Sequence, residues 1–184
     1  MSLALTLPKI GRVRVASASG QCHSRGHWSS ERGSMTGEQE ADIAAVRRWF
    51  ERLAEHVRAV DFAGARPIFA EDMIAFGTFS DFMTGRDKAE AAQWRNVWPH
   101  IDEFRWRPDI RALVSADRLT AVGMAVFDST GYTPDGTSYS RPGRATVVFT
   151  RTKPGDEWVA NHTHMSLFRD VPTRSHKGKS EKAS

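Results

Sequence analysis

The chain has 184 residues, 40% of them hydrophobic and six of them tryptophan, enough to bury one sizeable core and little more. Its single cysteine, Cys22, excludes an intramolecular disulfide framework and a multi-cysteine zinc site. The net charge of +4 belongs to the ends: residues 1–37 hold five basic and one acidic residue, residues 169–184 five and two, which leaves −3 for residues 38–168. A module that grips phosphate carries a basic face of its own, and the middle offers none, so nucleic acid is not an expected partner. Nor is a membrane, because no apolar run approaches the roughly 20 residues that cross a bilayer. A soluble protein of a reducing, cytoplasmic compartment is the expectation.

In chain order, residues 1–36 are rich in Ser, Gly and Arg, carry no acid before Glu31, and lack a sustained period. They read as a disordered basic extension, with Met35 an alternative start to Met1. From Glu38 the pattern changes: Ile43, Val46, Phe50, Leu53, Val57 and Val60 recur at steps of three and four, predicting an amphipathic helix capped by Thr36. Asp61 is a break and a cap for a short helix over Phe62 to Ile68. Met73 to Phe76 predicts a brief strand, and residues 77–85 a loop whose Phe79, Phe82 and Met83 cover a pocket. Asp87 to Val97 predicts a third helix, with Trp94 and Trp98 at helical spacing, serving as core or as pocket wall.

Beyond Pro99 the period falls to two. Residues 104–114 alternate apolar with charged and read as a strand with one wet face, and Leu119 to Asp128 reads as a more buried one. Residues 129–138 read as a loop. Arg144 to Phe168 then forms a long β-hairpin around the turn formers of Lys153 to Asp156. Strict alternation puts Trp158, Ala160, His162, His164, Ser166 and Phe168 on one face of its second arm. The order of elements argues for an α+β fold with helices on one face of a sheet, followed by a disordered basic tail over residues 169–184.

The long first helix ending near VDFAGARPIFAEDM, and the closing RPGRATVVFTRTKPGDEWVANHTHMSLF, resemble SnoaL-like proteins of the nuclear transport factor 2-like superfamily, which includes ketosteroid isomerases. The likeness covers residues 37–168. It implies a cone-shaped α+β roll, three N-terminal helices packed on a strongly curved antiparallel sheet around an apolar cavity, commonly as a homodimer. The function it implies is binding of a hydrophobic small molecule, extending to cofactor-independent isomerase, cyclase or hydratase chemistry by general acid/base catalysis. The closing Trp and His-x-His-x-Ser also resemble the association domain of calcium/calmodulin-dependent protein kinase II, whose implication is a non-catalytic dimerisation module. The two tyrosines, Tyr132 and Tyr139, do not match the ketosteroid isomerase pattern.

Within that frame His162 and His164 stand about 6.5 to 7 Å apart along a strand. They suit hydrogen bonds across a sheet or interface, proton transfer near neutral pH, or two ligands of a metal for which no third ligand stands out. Arg144, entering an apolar strand, needs a partner: a helix carboxylate, or a substrate oxyanion that Tyr139 also touches. Thus His164, His162, Arg144 and Tyr139 are the catalytic candidates. Phe76, Phe82, Trp94, Trp98 and Asp128 are the candidate pocket wall, and no metal or cofactor is expected.

Overall fold

The structure, a computed structural model, describes residues 37–78 and 80–182. The N-terminal extension, both candidate start positions, Cys22, Thr36 as a cap and Phe79 lie outside the described residues.

Helix α1 spans Gly37–Ala59 and buries Asp42, Val46, Trp49, Phe50, Leu53, Ala54 and Val57, a stripe at steps of three and four. Trp49 anchors it by donating to the Ile68 carbonyl at 3.0 Å. Asp61 caps α2 (Phe62–Ala65), its carboxylate accepting from Gly64 N at 2.9 Å. A 3-10 turn, Arg66–Ile68, leads into β1 (Phe69–Phe76), which turns back into β2 (Phe82–Thr84). The third helical stretch begins as α3 (Arg86–Ala89), bulges through a π turn over Glu90–Trp94 and finishes as α4 (Arg95–Val97).

Six further strands follow. Residues 104–114, expected as one strand, form two, β3 (Asp102–Trp106) and β4 (Arg111–Val114), because Pro108 interrupts the ladder between them. Strand β5 (Thr120–Tyr132) is 13 residues long and carries β3 and β4 along one edge and β6 (Ser138–Ser140) and β7 (Gly143–Thr150) along the other. It extends past Asp128 and turns tightly into β6, so residues 129–138 are strand and turn rather than an open loop. Strand β8 (Val159–Leu167) closes the predicted hairpin with β7.

The sheet runs β2-β1-β8-β7-β5-β3. It is mixed rather than wholly antiparallel, since β1 lies parallel to β8. Helices on one face of a curved sheet make this an α+β fold with a single core. Phe50 of α1 presses so closely on β5 that a Cβ at Gly123 would stand 2.5 Å from its ring, which is why glycine occupies the crossing point. No helix among the described residues is long and apolar enough to cross a membrane.

Residues 169–182, predicted to be disordered, form no helix or strand yet are held along the molecule. His176 N donates to the Tyr132 carbonyl at 2.9 Å, the Tyr139 hydroxyl donates to the Arg174 carbonyl at 2.6 Å, and Lys177 and Lys182 pair with Asp102 and Asp61. The segment's basic character, which signals a solvated tail in the sequence, here answers Asp61 at the cap of α2 and Asp102 at the start of β3.

Candidate functional site

Between the helices and the concave side of the sheet lies an apolar cavity of about 50 Å3. Its wall includes Leu53 and Val57 of α1, Phe69 and Ala75 of β1, Met83 of β2, Phe127 of β5, and Val147 of β7. The π turn brings Trp94 over Trp98 in a stack with centroids 5.1 Å apart and planes 10° from parallel. Polar groups in the wall are few: Thr78, Gln93, Arg141 and Thr163. No Asp, Glu or His lines it among the described residues.

Three of those polar groups each leave one buried atom without a partner. Thr78 Oγ1, Gln93 Oε1 and Arg141 Nε are buried and make no hydrogen bond to any described residue. Leaving a buried polar atom unsatisfied costs about 1–3 kcal/mol, and native interiors rarely permit it. Gln93 is held close by the chain opposite, since a Cβ at Gly77 would fall 2.1 Å from its Oε1.

Arg141 is the most unusual member, with only 2% of its surface exposed. Its backbone is clamped to β5: Arg141 N donates to the Ser129 carbonyl at 2.7 Å, and Ser129 Oγ donates to the Arg141 carbonyl at 2.8 Å. Its guanidinium donates through Nη2 to the Thr173 carbonyl at 3.4 Å and forms no ion pair with any described carboxylate. Burial pushes its pKa below the usual arginine range, while the neighbouring Tyr139 phenol is pushed up by its own burial, a rise that the Arg141 charge opposes.

The candidates drawn from the sequence fall in different places. Trp94 and Trp98 line the cavity, and Phe76 borders it while its ring packs against Phe82, His162 and His164. Phe82 is 64% exposed and is not part of the wall. Asp128 is held by Arg107 at 2.9 Å, and its carboxyl sits below the usual range because of that hydrogen bond, with burial opposing it. It shares a shallow polar depression with Tyr139, away from the cavity.

His162, His164 and Arg144 lie on the outer face of the sheet, which corrects the expectation of a single face from Trp158 to Phe168. The pairing of β7 with β8 slips between Val148 and Phe149: Val148 faces His162 but Phe149 faces Ala160, leaving Asn161 as a bulge. Trp158 and Ala160 point inward, the extra residue reverses the phase, and Thr163 and Met165 then take the cavity side. His162 Nδ1 is 2.9 Å from the Ile74 carbonyl, and Arg144 Nε donates to Ser166 Oγ at 3.2 Å, both on exposed surface. The four catalytic candidates therefore do not converge on one point. No three His, Cys, Asp or Glu side chains come together as metal ligands among the described residues.

Arg141 is absent from the candidates drawn from the sequence, which name Arg144, three residues on. The signal was present: Arg141 is in phase with Ala145, Val147 and Phe149, the buried set of β7, and Arg144 is not.

A family model for the SnoaL-like domain matches residues 46–170. Among solved structures, a ketosteroid isomerase-like protein from Erwinia carotovora superposes with a TM-score of 0.59 at 11% identity, covering 69% of this chain and 96% of that one. A nuclear transport factor 2-like superfamily protein from Salmonella enterica gives 0.58 at 14% identity, covering 70% and 92%. The association domain of CaMKII from C. elegans gives 0.52 at 16%, covering 70% and 95%. No curated protein matches the chain. Similarity at these identities speaks to the fold alone, which this chain shares with those structures, and the family match over most of the length leads to one conclusion: the chain belongs to the SnoaL-like family.

Proposed function

We propose that the chain binds a small, largely apolar molecule in the cavity and holds its one polar end against Thr78, Gln93 and Arg141. The observation that carries this reading is the meeting of three partnerless polar atoms in one apolar enclosure. Sites for small molecules have this composition, an apolar wall with a few placed polar groups. A bound polar group would supply the hydrogen bonds that the protein withholds.

The finer reading, acid/base chemistry of the isomerase, cyclase or hydratase kind, draws less support. A general base has to reach the proton it takes, and the cavity wall holds no carboxylate or imidazole among the described residues. His162 and His164 would act from outside the sheet. Binding therefore stands ahead of catalysis. The test is titration of the protein with small aromatic and aliphatic compounds while tryptophan emission is recorded. A saturable change that shrinks in Trp94→Phe is the expected result; no saturable change and no rise in melting temperature across the panel would refute the reading.

A second reading, homodimer formation through the outer face of the sheet, is favoured by a specific patch. Exposed Phe82 packs on Phe76 at 4.6 Å between ring centroids, Phe76 contacts both histidines, and Ile74 lies exposed beside them. An aromatic patch with imidazoles and no charge at its centre suits an interface. Sedimentation at low concentration separates the readings: under assembly His164→Ala shifts the protein toward monomer, and an unchanged sedimentation coefficient removes this role for His164.

A further inference from the structure

We infer that the molecule taken by the cavity is a small monocarboxylate, its carboxylate paired with the Arg141 guanidinium. The inference rests on the binding reading above and adds the charge class of the ligand.

The argument begins with a comparison inside the chain. Arg151 has a side chain as buried as that of Arg141, at 2% exposure, and its guanidinium is fully engaged. Asp42 accepts from it at 2.9 Å, the Arg118 carbonyl accepts from its Nε at 2.7 Å, and the Trp158 ring lies under it at 4.0 Å. That is how this fold treats a buried cation that serves structure. Among the described residues Arg141 has none of this, only the long contact to Thr173 and a neutral phenol nearby. A buried charge without a counter-charge is costly. What the site lacks is an anion.

The character of the anion follows from the wall. The guanidinium is a planar fork that matches a carboxylate through two parallel hydrogen bonds, and Nε, one prong of the fork, is vacant. A single arginine balances a single negative charge. No other Arg or Lys lines the cavity among the described residues, so a doubly charged phosphate would leave a charge uncompensated. The rest of the ligand has to suit Trp94, Trp98, Phe69 and Phe127, which calls for a hydrocarbon or aromatic body. Size sets a further bound. A cavity needs roughly 10–15 Å3 for one water, so about 50 Å3 admits a short acid as it stands. Longer acids require the flexible Met83 and Met165 side chains to yield.

The experiment uses the full chain at near-neutral pH and isothermal titration. Butanoate, hexanoate and benzoate are compared with the matching primary amides and alcohols, with inorganic phosphate as a separate arm. The acids are expected to bind at least about tenfold more tightly than their amides. Phosphate is expected not to compete, and acid affinity to fall as pH is lowered through the ionisation of the acid itself. Arg141→Met should erase the preference for acids while still binding the amides; Arg141→Lys, which keeps the charge and loses the fork, should restore part of it. The comparison of acid with amide on the unaltered protein needs no variant, so a misfolded Arg141→Met does not shelter the inference. Amides that bind as tightly as acids, phosphate that binds in place of them, or an Arg141→Met protein that keeps the preference would each overturn the carboxylate assignment while leaving the cavity a binding site. Failure of every compound to bind would overturn both.

Discussion

Two buried arginines bracket β7. Arg151, just past its last residue, sits in a network where Asp42 of α1 accepts from it at 2.9 Å and from Arg118 at 2.7 Å. Arg141, just ahead of its first residue, faces an apolar cavity and finds no carboxylate among the described residues. One strand thus carries the same side chain into the interior at both ends. At one end the chain provides the counter-charge from 109 residues away, and at the other no described residue does. The contrast separates charge buried to hold the fold together from charge buried to meet something the fold does not contain.

The largest effect should come from the paired end. Asp42→Ala strands the buried Arg151 cation and leaves Arg118 only the exposed Glu38, and is expected to cost about 3–5 kcal/mol in urea unfolding. The Arg118 hydrogen bond, opposed by burial and helped by Arg151, holds the Asp42 carboxyl below the usual carboxylate range. Its stabilisation is therefore complete above the unfolded pKa of about 4 and is lost as pH falls through the lower folded value. Asp42→Ala should remove that part of the acid sensitivity, which stability measured from neutral pH down to about pH 3 will reveal.

Next comes the unpaired end, where the sign reverses. Arg141→Met replaces an uncompensated charge by a flexible apolar chain of similar reach and is expected to raise stability by about 1–3 kcal/mol in the same measurement. A loss of stability there would mean that the two ends are alike after all. A smaller effect is expected of Gly77→Ala. The new methyl would displace the Gln93 carboxamide and cost about 1 kcal/mol, with a matching fall in ligand affinity by titration. Least affected should be Arg144→Ala, within about 0.5 kcal/mol by thermal unfolding, because its one side-chain hydrogen bond lies on exposed surface.

Much of the architecture was legible in the sequence, for reasons that particular residues make clear. Steps of three and four along α1 and turn formers at Lys153 to Asp156 are local signals, and both elements form where those signals stand. The parallel pairing of β1 with β8 was not legible, since nothing in either strand names a partner some 90 residues away. Alternation along β8 misled because it assumes an unbroken period, and Asn161 breaks it without any glycine or proline to announce the break. Arg141 illustrates a different limit. Its phase with the buried set of β7 was readable, but the lack of a partner is a property of the folded surroundings and of no stretch of sequence.

The bulge at Asn161 makes chain length, rather than residue identity, the variable that decides what a histidine on this strand can touch. A relative one residue shorter at this point would carry the same His-x-His spacing with both imidazoles turned into the cavity, and Thr163 and Met165 turned out. Alignments that match this motif column by column would then equate groups on opposite sides of a sheet. Comparison of function across such relatives has to count residues between Trp158 and the first histidine before it compares the histidines themselves.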